Sequence, residues 1–509
     1  MRKRRDAAAV ILLAAAAVAI GEASIFRRPD LSRTAGFLFG DPGFSLLIAR
    51  EVLHGARLYA DVAYQYGCVP VYLYAAVAAM AGNTPLVFLH FLLACSTGTL
   101  LLFYALARRA AGPGVALLVT LAGALPVLLL PGSLLGGYVN SYYIPIERAL
   151  MIGAAIAWRP PSRRSVGRAL GLGACLGALQ FVRFGPGVAL AGVVVLVDVA
   201  VHVLQKGGAR RWLAAETQTF AAFAALEAVR IAGAFTLLPS LVARDVVWPA
   251  YILESYSGAK AFPHWNGWAL AIGQYANPVT SLVLGAVTLA AIAAARSRWD
   301  AEEDGSQLLL PLFFVAGIFG LFRSEHHFYQ AAWTVTPAAV VALRRWPRLR
   351  GVVLAAWLPP LALVVSQPLR PQPASARTVA IAPHWTLTVP VGMDDTIRGV
   401  AGALRQSGSH RVVFYPYLAG FNVALDLPLV GRESTFMHGS IRPYEEAALA
   451  RDFGEAEVLA TCRAPQQWET SPGLFDQDAP QSLRDALEPR AAAVLWRDDQ
   501  CRVVRLRRR

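Results

Sequence analysis

The chain has 509 residues, of which 56% are apolar and only 16% charged; mean hydropathy is +0.45. Soluble domains carry about a quarter charged residues, so a disordered chain, a nucleic-acid binder and an ordinary cytosolic enzyme are excluded. What is left is a polytopic membrane protein with some soluble mass. The net charge is +14, from 47 basic and 33 acidic residues, and the only lysines are Lys3, Lys206 and Lys260. In a membrane protein such a surplus reports topology before it reports a partner. Five cysteines are too few for a disulfide scaffold.

A helical span needs about 20 mostly apolar residues. The first candidate covers 7–26, behind Met-Arg-Lys-Arg-Arg. Its uncharged part, 7–21, is short enough for a signal peptide, and a retained anchor is the favoured reading. Further spans are expected over 86–107, 112–131, 142–158, 166–182, 186–204, 212–238, 268–295, 307–322, 330–345 and 351–367. The apolar run 69–82 is too short to cross and reads as an interfacial or re-entrant helix.

Arginine placement tests this arrangement. Every second connection is basic: Arg2–Arg5, Arg108 with Arg109, Arg159 with Arg163, Arg164 and Arg168, Lys206 with Arg210 and Arg211, Arg296 with Arg298, and Arg344 to Arg350. These are short loops, where the positive-inside bias operates. The expected architecture is an α-helical membrane domain over 1–367 with about 11 transmembrane helices. The first outer loop, 27–85, lies within it, and a soluble α/β domain over 368–509 stands outside the membrane. The N-terminus is expected in the cytoplasm and the C-terminal domain in the periplasm or outside the cell, with the chain in the bacterial inner membrane.

The tail opens on a Pro-rich linker, 367–373. It then alternates like a strand over 411–418 and reads as a helix over 443–453. It holds Cys462 and Cys501; a disulfide between them and two free thiols are both open in an oxidising compartment. There is no tandem repeat, no glycosylation sequon, no phosphate-binding Gly-Lys-Ser/Thr and no Cys-x-x-Cys.

The first outer loop is the richest segment. Pro42 suits a helix first turn, Asp41 just before it suits the N-cap, and Gly55 ends a helix running to about His54. The face Phe44, Leu47, Ile48, Val52 predicts a helix lying flat on the membrane surface. Asp41 reads either as a plain cap or as a general base, since a carboxylate in a membrane-facing cleft can take up a proton from an acceptor hydroxyl. Asp61, after Tyr59, reads chiefly as a brace for the loop.

Three arginines interrupt apolar sequence on one predicted side: Arg148, Arg183 and Arg323, the last in Arg323-Ser-Glu-His-His. Charge at such depth is costly unless paired or functional. The alternatives are snorkelling, pairing with Glu147 or Glu325, or bidentate capture of a lipid-linked phosphate. His326 is grouped with Arg323 in the last reading. Glu325, His326 and His327 do not make a zinc site, because adjacent histidines diverge on a helix. No metal ligand is assigned; a divalent cation (Mg or Mn) bridging Asp41 and a phosphate is compatible with the segment. The Trp- and Tyr-rich stretch 245–268 reads as an interfacial belt or as a surface for a sugar or isoprenoid.

Asp41 with its helix, then Leu53-His-Gly-Ala-Arg-Leu-Tyr-Ala-Asp61 and Tyr66-Gly67, resembles the first periplasmic loop of GT-C membrane glycosyltransferases. The likeness is to the bacterial branch near protein O-mannosyltransferases and lipid A aminoarabinose transferases. Phe181-Val-Arg-Phe-Gly185, Arg323-Ser-Glu-His-His327 and Phe414-Tyr-Pro-Tyr-Leu-Ala-Gly420 are further echoes. Pro42 departs from the two adjacent acids many members carry, and Glu325 stands where relatives often have Asp. The resemblance implies a polyprenyl-phosphate sugar donor and an extracytoplasmic acceptor (glycan, lipid or protein). It implies Asp41 at the reaction centre. The charged residues themselves suggest Arg148, Arg183, Arg323 and His326 for the lipid phosphate, with Tyr59, Asp61 and Glu325 in support. A transporter or flippase of a lipid-linked glycan is the runner-up. Its polar residues would be expected at the midplane, whereas here they gather at one face. A non-catalytic envelope assembly protein is the third reading.

Overall fold

A computed structural model describes residues 2–64, 66–121, 143–183, 186–205, 208–247, 362, 365–416, 418–433, 446–462 and 481–508. Among them, three helices are long and apolar enough to cross a membrane: Arg4–Arg27, Pro85–Arg109 and Ala209–Leu237. Helices over Tyr143–Ala157, Val166–Gln180 and Pro186–Gln205 fall on the expected spans 142–158, 166–182 and 186–204. Of the expected span 112–131, Pro113–Val119 is helical. The expected spans 268–295, 307–322 and 330–345, and nearly all of 351–367, lie outside the described residues.

The described residues fall into two compact units. One contains Met1–Ser24 and Leu92–Gly233, with the described residues of Ala259–Arg370. Small residues set its packing. A Cβ on Gly173 would stand 2.0 Å from the Thr219 carbonyl oxygen, and one on Gly177 would stand 2.8 Å from Leu226 Cβ. The two glycines therefore let the Val166–Gln180 helix lie close against Ala209–Leu237, as small residues do between helices in lipid.

The same unit buries an ionic cluster. Arg164 Nη2 donates to Asp198 Oδ2 at 2.5 Å, and Nη1 donates to Glu216 Oε1 at 3.3 Å and Thr219 Oγ1 at 3.2 Å. Trp158 Nε1 donates to Asp198 Oδ1 at 2.9 Å. The Arg164 and Asp198 side chains are both 0% exposed. Arg164 thus joins two helices through their acids, beyond its expected place as one basic residue of a loop.

The second unit contains Ile25–Phe91 and Pro371–Arg509. Cys68–Ala81 is a 14-residue helix, matching the short apolar run. Its Val71, Tyr74, Ala75 and Ala78 are buried, while Tyr72, Leu73 and Met80 are exposed. In the tail, a hairpin β1 (Ala376–Ala382) and β2 (Trp385–Pro390) stands beside a four-stranded sheet. That sheet has the order β3-β4-β6-β5, from β3 (Val412–Tyr415), β4 (Val458–Cys462), β5 (Ala491–Arg497) and β6 (Cys501–Leu506). β3 and β4 are parallel, and the other pairs are antiparallel. All four residues of β3 are buried, as suits an apolar run covered on both faces. Leu449, Phe453, Leu483 and Leu487 pack with Val413 and Leu459 in one cluster. Register places Cys462 opposite Cys501, and a disulfide joins them. The helix expected over 443–453 is described from Glu446 to Asp452, with a 3-10 turn at Phe453–Glu455.

Candidate functional site

The helix that begins at Asp41 runs to Leu53, with Gly40 as the N-cap. Asp41 is therefore the first helical residue, one place later than the expected cap, and Pro42 follows it in the first turn, where its missing N–H costs nothing. The carboxylate sits where the first-turn N–H groups point outward and the helix dipole is positive. His54 closes the helix and Gly55 takes a positive φ of 92°, the left-handed geometry that favours glycine.

This helix does not lie open on one face. Every residue from Pro42 to Arg50 is buried, so the expectation of a helix flat on the membrane surface is corrected: protein covers 42–50 on all sides, and only the end at Leu53 is exposed. The cover comes from the helices Gly36–Phe39 and Cys68–Ala81 and from the tail segment 418–424. A Cβ on Gly420 would stand 1.8 Å from the Phe37 carbonyl oxygen, and one on Gly43 would stand 2.9 Å from the Gly420 nitrogen. Backbone meets backbone here, two residues after Asp41. Phe421 adds edge contact with Phe39 at 5.8 Å and stacks on Phe414 at 6.0 Å.

Arg50 fastens the arrangement. Its guanidinium donates to the Asn422 and Leu427 carbonyl oxygens at 2.6 and 2.7 Å, and to Glu51 Oε1 at 2.5 Å. A second tie runs from Arg432 Nη2 to the Tyr59 carbonyl oxygen at 2.6 Å. Neither arginine carried a sequence signal beyond its charge. Two of the Arg50 partners are backbone oxygens more than 370 residues away, which no local pattern encodes.

Tyr59 is buried and sits at φ 71°. Its hydroxyl donates to the Tyr66 carbonyl oxygen at 2.6 Å, and its ring lies 6.2 Å from that of Tyr64, which stacks on Phe44 at 5.8 Å. An aromatic wall therefore links Tyr59 to the Asp41 helix. Asp61 closes a small loop: it accepts from the Arg57 N–H at 2.8 Å and from the Arg57 guanidinium twice at 2.9 Å. These Arg57 bonds hold its carboxyl below the usual carboxylate range.

Arg148 and Arg183 belong to the other unit. Arg148 is buried on the Tyr143–Ala157 helix. Arg183 follows the Val166–Gln180 helix, 3.7 Å from Glu147 and 6.0 Å from the Tyr143 ring centre. The two are brought to neighbouring helices, with Glu147 next to one and paired to the other. Arg323, Glu325 and His326 lie outside the described residues, as does the stretch 248–268. Among the described residues no group of three His, Cys, Asp or Glu stands together as a metal site, and Asp41 would bring a cation one carboxylate.

No family model matches the chain, and no curated protein matches it in sequence. Solved structures do match. The crystal structure of ArnT from Cupriavidus metallidurans bound to undecaprenyl phosphate aligns over 97% of both chains, with a TM-score of 0.56 and 13% identity. The apo crystal structure of the Archaeoglobus fulgidus oligosaccharyltransferase aligns over 90% of this chain and 69% of its own, with a TM-score of 0.51 and 11% identity. Both are GT-C superfamily members. The chain shares the fold of these two structures, mostly helical with a small C-terminal sheet region.

Proposed function

We propose that this protein is a membrane glycosyltransferase. It moves a sugar from a polyprenyl-phosphate donor to an acceptor hydroxyl on the outer side of the inner membrane. The observation that carries the reading is the place of Asp41: an acid at the head of a helix that the tail domain packs against, in a chain of GT-C fold. The ArnT structure in that comparison holds undecaprenyl phosphate, which supports the same class of donor here.

In the proposed reaction Asp41 accepts the proton of the acceptor hydroxyl. The acceptor oxygen attacks the anomeric carbon, the bond from that carbon to the phosphate oxygen breaks, and the electron pair leaves on the polyprenyl phosphate. A single displacement inverts the anomeric centre. Arg148, Arg183, Arg323 and His326 are assigned to the phosphate, where charge builds as the bond breaks. One such donor is typically worth ~2.7–4 kcal/mol. Tyr59, Asp61 and Glu325 are assigned supporting roles. A divalent cation, if used, would be held by Asp41 and the donor phosphate and would neutralise the leaving group; no step above depends on it.

The test is the full chain in proteoliposomes with a polyprenyl-phosphate sugar and candidate acceptors. Product and released polyprenyl phosphate are identified by mass. Sugar translocation without a new glycosidic bond would replace this reading with the flippase.

A further inference from the structure

We propose that Arg109, Arg159 and Arg168 form a binding site for the phosphodiester headgroup of an anionic phospholipid, in the leaflet that their loops face. The proposal does not depend on the transferase reading.

The three side chains gather at the C-terminal end of the Tyr143–Ala157 helix. Arg109 donates to the Ala155 carbonyl oxygen at 3.4 Å and to that of Ile156. Arg168 Nη1 donates to the same Ile156 oxygen at 3.5 Å, so two guanidiniums share one acceptor. Arg159 donates to the Trp158 carbonyl oxygen at 3.0 Å. Arg159 and Arg168 are both close enough to repel Arg109 electrostatically, and Arg168 likewise repels Arg159.

The helix end accounts for part of this. Its dipole and free carbonyls amount to roughly half a negative charge, against three full cations. Two other arginines of the unit have carboxylate partners. Arg108, next in sequence to Arg109, is bound by Asp6 at 2.6 Å, and Arg164 is bound by Asp198 at 2.5 Å. Among the described residues no carboxylate lies within ion-pair distance of Arg109, Arg159 or Arg168. Their partners are neutral oxygens, each with a second lone pair, and each guanidinium keeps donors to spare.

A phosphate diester matches what remains. It is an anion, and its two free oxygens accept bidentately from the guanidinium fork. The apolar setting favours a lipid over a soluble phosphate, since Val166 and Leu170, flanking Arg168, are 55% and 43% exposed. An acyl chain covers such side chains; inorganic phosphate does not.

The test uses the purified full chain in detergent, read by native mass spectrometry and thermal unfolding. Phosphatidylglycerol, phosphatidylcholine and inorganic phosphate are added in parallel. The expected result is retained phosphatidylglycerol and a raised Tm, with little effect of the other two. Each arginine changed to glutamine should weaken phosphatidylglycerol binding about fivefold. Arg109→Gln also removes helix-end bonds, so Arg159→Gln and Arg168→Gln are the decisive single variants. Equal retention of phosphatidylcholine, an equal shift with inorganic phosphate, or unchanged binding in those two variants would overturn the proposal. An intramolecular partner, such as the acidic run Asp300, Glu302, Glu303 and Asp304, would then be the next candidate.

Discussion

Arg50 Nη2 donates to the carbonyl oxygen of Leu427 at 2.7 Å, across 377 residues of sequence. With the Arg50 bond to the Asn422 oxygen, it joins the helix that starts at Asp41 to the C-terminal segment. The proposed topology requires this contact, because it puts the Asp41 helix and the tail on the same side of the membrane.

Arg50→Ala should loosen the tail. It leaves the Asn422 and Leu427 oxygens without their charged donor and Glu51 without its partner. Hydrogen bonds to charged groups are worth about 1.5–3 kcal/mol each, and a loss of that order is expected. Limited proteolysis of the full chain should cut the 418–433 region faster than in the wild type; an unchanged pattern would remove Arg50 as a fastener.

Gly420→Val should do the same by overpacking. There is no room for a Cβ against the Phe37 carbonyl oxygen, and relief requires backbone to move. A cost of about 1–3 kcal/mol is expected, seen as a lower Tm in thermal unfolding. Transferase activity should fall with it if the tail helps shape the acceptor side.

Asp41 and Asp61 should separate by function. Removing a positioned general base typically costs 10²–10⁴-fold in rate, and Asp41→Asn is expected to lose that much with little change in Tm. Asp61 is tied to Arg57 in an exposed loop, so Asp61→Asn should keep most of kcat. The Arg57 bonds depress the folded-state pKa of Asp61. The stability they add is therefore present above the ordinary Asp range and is lost as pH falls through the depressed value. Hydrogen exchange over residues 57–62 should accelerate only in that acid window.

Asp198→Ala should be among the most damaging changes in the membrane domain. It takes from the Arg164 guanidinium, whose side chain is 0% exposed, its 2.5 Å partner, leaving Glu216 at 3.3 Å, and it removes the Trp158 acceptor. Breaking one partner of a buried pair costs about 3–5 kcal/mol. Purified yield and Tm should both drop, whereas Glu227→Ala, which breaks an i,i+3 pair with Arg230, should do much less.

Cys462→Ser or Cys501→Ser should destabilise the tail by about 2–4 kcal/mol, since the bridge closes a loop of 39 residues. Reducing agent should lower the Tm of the wild type and leave that of either variant unchanged. Mass mapping under non-reducing conditions should recover the two cysteines on one linked peptide.

Much of the local structure is legible in the chain. Pro42 and Gly55 bracket the Asp41 helix. The short apolar run before Gly82 gives a helix of 14 residues, too short to cross. Alternation and buried apolar residues mark β3. Each of these rests on interactions among near neighbours, and pattern reads them well. The pairing of Arg164 with Asp198 and Glu216 spans 34 and 52 residues and has no local signature. Two acids inside apolar helices were its only trace, since charge at that depth needs a partner. The cover over the Asp41 helix was hidden for the same reason: its face pattern suggested lipid as the apolar partner, and protein supplied one instead.

The sequence by itself determined that apolar helices dominate the chain, where those among the described residues lie, and that an acid heads the helix at Asp41, because hydropathy and charge act residue by residue. Only the tertiary structure decided that the C-terminal segment packs on the Asp41 helix through Gly43, Gly420 and Arg50, and that, among the described residues, Arg164 and Arg108 have carboxylate partners while Arg109, Arg159 and Arg168 have carbonyl oxygens. Such pairings depend on which distant groups share a buried volume once the chain is folded, and that is a property of packing in three dimensions.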